Sequence, residues 1–409
     1  MRILKQKFAE GLNIASGCDT VPLQLVGGLR YKDEIESIRL IGGLNLYTDE
    51  APWDWCGYTG SDITKDKTVD ETFGNFEDLN NYLNSGKYEI IHSHTRGEKL
   101  NEINKEFHKQ NIPIVYTMHG MDSLSNPLDE EMFDEVDLIT APSAYAADKI
   151  TEKNKKYTKK TLAVPNSTNF TKYTYDPKVN ELSEEIRKKY APNGEELILI
   201  TGRLQEDKGV YELGEAVTRL LEKGDNVKLM HAGITFNEED RIRLENIFEE
   251  KGYRDKLILN GKIPESDEKN LAAIYKSADV FVLPSDGTYE TFGLSALEAL
   301  AMETPLITSA KGGTYQIYIE PGFGIGVQPR KVGSIEKGIS HVINNYEQEK
   351  ERAKIARKII DKIYTTDFVS DLWVNIYEKL REDLPIVPDI PDDNYTQATY
   401  KKIEDWLND

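Results

Sequence analysis

The sequence predicts an α/β chain built as two doubly wound domains facing each other across a cleft. Three observations carry this reading. Short apolar runs alternate with helix-period segments through the second half, the rhythm of βαβ units and a parallel sheet. The first half repeats the alternation less cleanly. Between the two systems, from Asn166 to Gly194, the chain turns polar and carries Pro177 and Pro192, which marks a boundary. At 409 residues the chain has room for roughly two to three domains of about 150 residues.

In chain order, residues 42–75 come first as a Gly-rich stretch with Pro52, Trp53 and Trp55 and no sustained period, read as a long loop or irregular insertion. Glu89–Ser93, Ile112–Met118 and Val136–Thr140 read as buried strands. Leu100, Ile103 and Phe107 mark one helix between them at i, i+3 and i+7. In the second half the strands are Leu197–Thr201, Val227–Ala232, Lys256–Leu259, Asp279–Leu283 and Pro305–Thr308. Leu213, Val217, Leu220 and Leu221 mark one intervening helix, and Leu271, Ile274 and Tyr275 another. Ile355, Ile359 and Ile363 form an apolar stripe on a basic helix, and Phe368, Leu372, Ile376 and Leu380 form one on the next. An acidic tail with Pro385, Pro388 and Pro391 ends the chain.

Composition excludes several classes. Hydrophobic residues at 39% and charged residues at 30% are ordinary for a globular chain. No run approaches the ~18 apolar residues of a membrane span. The opening Met-Arg-Ile-Leu-Lys-Gln-Lys lacks the apolar core of an export signal, and Cys18 and Cys56 are too few for a disulfide framework, so a cytoplasmic location is expected. A formal net charge of -20 disfavours nucleic acid. Lys153, Lys155, Lys156, Lys159 and Lys160, and later Lys350 to Lys362, read as solvated helix faces. The first cluster is the one place where weak association with a membrane surface or an anionic acceptor would fall.

Two segments carry chemistry. Pro284-Ser-Asp-Gly-Thr-Tyr-Glu290-Thr-Phe-Gly-Leu-Ser-Ala-Leu-Glu298 leaves a strand and enters a helix at about Phe292. The amides of Thr291, Phe292, Gly293 and Leu294 then form an anion site at a positive helix end. Glu298 borders the buried stripe, so its carboxylate needs donors; sugar hydroxyls would serve, and so would an arginine. In Gly202-Arg203-Leu-Gln-Glu-Asp-Lys208-Gly, a strand ends and two cations follow. Arg203 can fork two hydrogen bonds to a phosphate and Lys208 supplies a point charge. The plain alternative for Lys208 is a surface residue beside Glu206 and Asp207.

Together these segments resemble the retaining GT-B glycosyltransferases of family 4. That family carries Gly-Arg-Leu, three residues, Lys-Gly, then Pro-Ser-x-x-Glu-x-Phe-Gly-Leu-x-x-Leu-Glu-Ala. Leu229-Met-His-Ala-Gly233, Asn260-Gly-Lys-Ile263-Pro, Ile90-Ile-His-Ser-His94, Pro113-Ile-Val-Tyr-Thr-Met-His119-Gly and Val164-Pro-Asn166 look like further landmarks in the family's order. The match spans roughly residues 88–380. Departures lie in the first strand–helix loop, where paired glycines appear only as Gly17, in the turn between Ser285 and Glu290, which is two residues longer, and in Gly312-Gly-Thr-Tyr-Gln316, where the family has Glu.

The resemblance implies a Rossmann-like acceptor-side domain at 1–175, a nucleotide-sugar-binding Rossmann-like domain at 176–362, and C-terminal helices at 363–409 packing back on the first. It implies a retaining enzyme that moves a sugar from a nucleotide-diphosphate sugar to a hydroxyl of a glycan, lipid or small-molecule acceptor. Arg203 and Lys208 would neutralise the leaving diphosphate, with the amides of Phe292 and Gly293 nearby. Glu290 would bind a donor-sugar hydroxyl, Glu298 the ribose and Ile263 the base, while His119 would lie near the transferred sugar. Gly17, Gly202, Thr291 and Leu294 complete the expected donor site. The sequence has no Asp-x-Asp, so neither a metal nor another cofactor is expected. The competing readings are another GT-B enzyme, such as a glycan phosphorylase or sugar-nucleotide epimerase, and a non-catalytic sugar-nucleotide binding protein.

Overall fold

A computed structural model of the chain describes residues 88–94, 98–121, 127–168, 170–173, 176–263, 268–287 and 290–383, the strands at 2–6, 37–42 and 71–72, and positions 29, 32–33, 81 and 386. The chain divides into two compact units, one formed by Met1–Ser167 with Thr366–Asp409 and the other by Thr168–Thr365.

The first unit holds seven strands: β1 (Arg2–Gln6), β2 (Ser37–Gly42), β3 (Glu71–Thr72), β4 (Ile90–Ser93), β5 (Ile114–Thr117), β6 (Leu138–Ala141) and β7 (Thr161–Ala163). They form one sheet in the order β3-β2-β1-β4-β5-β6-β7, paired in parallel throughout. Successive residues feed opposite faces. Ile91, Ile114, Tyr116 and Ile139 join Phe107, Met132, Phe133 and Tyr157 on one side. Ile90, Val115 and Leu138 join Val369, Trp373 and Tyr377 on the other. Burial on both faces removes the period-two alternation and leaves the continuous apolar runs of a parallel sheet. The helix Thr366–Arg381 therefore covers one face of this sheet. Its large buried side chains contribute roughly 1.5–3 kcal/mol each.

The second unit repeats the plan with β8 (Glu196–Thr201), β9 (Val227–Ala232), β10 (Leu257–Gly261), β11 (Val280–Leu283), β12 (Leu306–Ser309) and β13 (Ile325–Val327), ordered β10-β9-β8-β11-β12-β13 and again parallel. Strand order reverses between β8 and β11, whose register pairs Val280 with Ile198. The carboxyl ends of strands at such a reversal are where open α/β sheets bind ligands. Those ends are Thr201 and Leu283.

Several sequence expectations change. Part of residues 42–75 is strand: Gly42 closes β2, and Glu71 and Thr72 pair with Ile41 and Gly42. The rest of that stretch, and the acidic tail beyond residue 386, lie outside the described residues. The apolar stripe on Tyr346–Ile363 runs through Ala353, Ala356, Ile360 and Ile363, leaving Ile355 51% exposed. On the next helix the stripe centres on Val369, Trp373, Ile376 and Tyr377, with Phe368 and Leu380 at its margin. The Lys153–Lys160 cluster is solvated as expected, with Lys153, Lys155, Lys156 and Lys159 exposed, and lies along the acidic helix Pro127–Glu135. Lys156 meets Asp134 at 2.7 Å, and Lys160 donates to the carbonyls of Asp134 and Val136. Among the described residues, no helix is long and apolar enough to cross a membrane.

Candidate active site

Two loops leave the sheet of the second unit at the strand-order reversal and meet. From β8 the chain passes exposed Gly202 and Arg203, whose guanidinium lies 4.0 Å from Asp207. A short turn over Glu206–Lys208 then ends at Gly209. That glycine has φ +70°, and a Cβ there would sit 2.3 Å from the Pro284 carbonyl oxygen. Only a residue without a side chain lets the Lys208 loop lie against the exit of β11. Asp286 N–H donates to the Asp207 carbonyl at 3.1 Å and ties the loops together.

Lys208 Nζ donates to Glu290 Oε2 at 2.6 Å, with the side chains 20% and 14% exposed. Burial pulls the lysine pKa down, but the adjacent Glu290 carboxylate outweighs it and the net shift is upward. Lys208 is thus held as a cation, within repulsive reach of Arg203. The surface reading of Lys208 fails: this ammonium is mostly buried and paired across the two loops, with a carboxylate 82 positions away.

Beyond Glu290 the chain packs before it coils. The helix spans Leu294–Ala301 and begins two residues later than the sequence suggests, because Gly293 adopts φ +79° as its cap. Phe292 is 2% exposed and packs edge-on against Tyr364 and Tyr318, so its side chain belongs to the core. Thr291 is buried, and the Glu290 carbonyl accepts from Gly313 N–H at 3.2 Å. The amides entering the helix precede its first internal hydrogen bond, as anion-binding amides must.

Glu298 lies on the second turn of this helix. Its Oε2 accepts from the Tyr275 hydroxyl at 2.7 Å, and that hydroxyl lies 2.7 Å from Thr201 Oγ1 at the end of β8. The sequence offered sugar hydroxyls or an arginine as its donors; the phenol of Tyr275 is one that neither reading named. Tyr275 was legible only as an apolar helix position. Ile263 follows β10 and is half-buried. Near the end of β9, His231 is 2% exposed, and burial holds its pKa down at about 4 against a hydrogen bond to the Gly202 backbone. Among the described residues its Nε2 has no hydrogen-bond partner.

His119 belongs to the first unit and follows β5. Its Nε2 lies 2.9 Å from His94 Nδ1, and the rings stack with centroids 5.2 Å apart. His94 in turn stacks on buried His92, which is fixed by Tyr377 Oη and Thr117 Oγ1, both at 2.6 Å. His119 is therefore one end of a histidine stack. Gly17 lies outside the described residues.

The second unit is thus a parallel α/β sheet whose strand-order reversal, the place where open sheets of this kind bind ligands, is flanked by two loops carrying Arg203, Lys208 and Glu290. Comparison with known proteins gives the class. Residues 182–359 match the model of Glycosyl transferases group 1, and residues 59–170 match that of Glycosyltransferase Family 4. The two models together span well over half of the sequence, and the chain belongs to the GT-B glycosyltransferases of group 1.

An uncharacterised glycosyltransferase of Methanocaldococcus jannaschii is 35% identical over 184 residues, covering 45% of each chain; the matched region is thus under half of that relative's length. A putative glycosyltransferase of Bacillus subtilis, YtcC, is 25% identical over 308 residues, covering 73% of this chain and 74% of its own. Among solved structures, Anabaena HepE in complex with UDP and glucose superposes with a TM-score of 0.74 at 14% identity, covering 93% of this chain and all of its own. A glycosyltransferase from Rickettsia africae gives 0.74 at 15%, covering 93% and 98%.

Proposed function

We propose that this protein transfers a sugar from a nucleotide-diphosphate sugar to an acceptor hydroxyl with retention of anomeric configuration. The observation that carries the reading is the Lys208–Glu290 pair, set at 2.6 Å between the two loops that leave the sheet at its reversal. Group 1 membership and the HepE structure solved with UDP and glucose support a nucleotide-sugar donor.

In this mechanism the donor diphosphate competes with Glu290 for Lys208. Arg203, one-third exposed beside it, supplies a two-pronged contact to the same phosphates. As the glycosidic bond breaks, negative charge grows on the leaving diphosphate, and the two cations and the amides at Phe292, Gly293 and Leu294 stabilise it where it develops. Glu290, released from Lys208, accepts hydrogen bonds from donor-sugar hydroxyls. The acceptor attacks from the face that the leaving group vacates, and its proton passes to a diphosphate oxygen, so no protein nucleophile is required. The cations take the charge-neutralising role that a divalent metal fills elsewhere, so the reaction needs no metal. Glu298 holds the ribose and Ile263 the base.

A thermal-shift screen across UDP-, GDP- and ADP-sugars tests the donor class, because a ligand that binds only the folded state raises the melting temperature. Proton NMR of the product then reads the anomer. An inverted anomer contradicts retention, and activity lost in EDTA and restored by manganese contradicts metal independence.

A further inference from the structure

We infer that Tyr275 is a positioning residue for nucleotide recognition: its hydroxyl aims the Glu298 carboxylate at the ribose and thereby sets discrimination between ribonucleotide and deoxyribonucleotide donors. The inference rests on the reading of Glu298 as the ribose ligand given above.

The chain of hydrogen bonds has a fixed direction. An ionised carboxylate can only accept, so the Tyr275 hydroxyl spends its single proton on Glu298 Oε2, at 2.7 Å. The phenol oxygen is then left to accept, and the Thr201 hydroxyl at 2.7 Å must be its donor. Thr201 is the last residue of β8, immediately before Gly202 and Arg203, while Glu298 lies on the helix that follows Gly293. The three side chains thus tie the two sides of the strand-order reversal together with one oriented polar relay.

Tyr275 itself is locked. It is fully buried on Glu268–Ser277, packed against Phe281 at 5.6 Å and Tyr173 at 6.3 Å between ring centroids, and its own carbonyl accepts from Thr304 Oγ1 at 2.7 Å. A rigid buried donor holding one carboxylate oxygen fixes the rotamer of a half-buried glutamate, and such support is what confers precision on a ligand contact. A buried phenol needs a hydrogen-bond partner in any case; what singles out Tyr275 is that its acceptor is the Glu298 carboxylate.

The test is titration calorimetry with UDP, GDP and ADP and, for the tightest of the three, its 2′,3′-dideoxy counterpart. The wild-type protein is expected to prefer the ribonucleotide. Tyr275→Phe keeps the ring and removes the relay; it should weaken ribonucleotide binding roughly tenfold, the scale of one hydrogen bond to a charged group, and leave dideoxynucleotide binding within about twofold. Thr201→Val unseats the phenol from the other end and should show the same selective loss at about threefold, with Thr201→Ser restoring it. Thr201→Val also carries the test if Tyr275→Phe does not fold. Equal losses on both nucleotides, or none on either, overturn the positioning role while the Glu298 reading stands. A wild-type protein indifferent to the ribose hydroxyls overturns the Glu298 reading first, and the role of Tyr275 falls with it.

Discussion

Replacing Lys208 separates structure from chemistry at this site. Lys208→Met keeps the unbranched stem, one atom shorter and without the charge, and strands the Glu290 carboxylate, which is only 14% exposed. Stranding one member of a fully buried pair costs about 3–5 kcal/mol. Partial exposure and solvent screening reduce that here to roughly 1–3 kcal/mol. A unit of this size loses about 2–4 °C in melting temperature per kcal/mol, so calorimetry should register a drop of several degrees. The double variant Lys208→Met with Glu290→Gln removes the stranded charge and should recover most of that loss. Turnover should not recover. In the proposed reaction the leaving diphosphate then lacks a charge-stabilising donor, worth about 10²–10³ in rate, in both variants, and the double variant also loses the Glu290 carboxylate's contact to the donor sugar. Glu206→Ala is the control: this carboxylate is 59% exposed, its contacts to Arg330 at 3.2 Å and Arg243 at 3.8 Å are surface pairs, and the change should be nearly silent. If the double variant regains turnover together with stability, the pair is a structural clasp and the reasoning fails.

Three further outcomes are expected. The pKa of His231 is held down to about 4, so between that value and its ordinary 6.5 the unfolded chain binds the extra proton. Stability should therefore rise with pH through this window, on the order of 3 kcal/mol across it, and His231→Gln should flatten the slope in urea melts taken at pH 4 to 7. Gly209→Ala forces a side chain onto the Pro284 carbonyl at φ +70°, costing at least about 1–3 kcal/mol and moving Lys208; denaturant midpoints and donor KM should both worsen. Glu195, fully buried beside Lys228 at 3.1 Å, keeps a pKa of about 2: burial alone would raise it, but the Asn193 amide and Lys228 outweigh that. Its share of stability is present above about pH 4.5 and lost on acidification toward pH 2, a loss that Glu195→Gln should abolish in acid-unfolding curves.

The second unit was the more legible because its strands are unbroken apolar runs. Leu197–Thr201 and Val227–Ala232 emerge from the sequence within a residue of β8 and β9. β1 was missed because Arg2, Lys5 and Gln6 interrupt its apolar residues, and β13 because three residues with a central glycine carry no pattern. Helix faces slipped by one position where aliphatic residues ran on to the exposed side: Ile355 precedes the buried Ala356, and hydrophobicity alone ranks the isoleucine inside. At the site, Arg203, Lys208, Glu290 and Glu298 were visible as residue types in a spaced order. Their pairing was not, since Lys208 meets a carboxylate 82 positions away and Glu298 meets a tyrosine 23 positions before it. Tyr275 reads as an apolar helix position because its one polar atom is invisible to periodicity.

The central claim is that Arg203 and Lys208 bind a nucleoside diphosphate at the strand-order reversal of the second unit. Titration calorimetry with UDP, GDP and ADP on the wild-type protein and on the Arg203→Ala, Lys208→Ala double variant tests it most directly. The account predicts that at least one of the three binds the wild-type protein and that the folded double variant loses at least about a hundredfold in affinity, two charge-assisted contacts at roughly tenfold each. Unchanged affinity in a folded double variant, or no binding of any of the three to the wild-type protein, would contradict it.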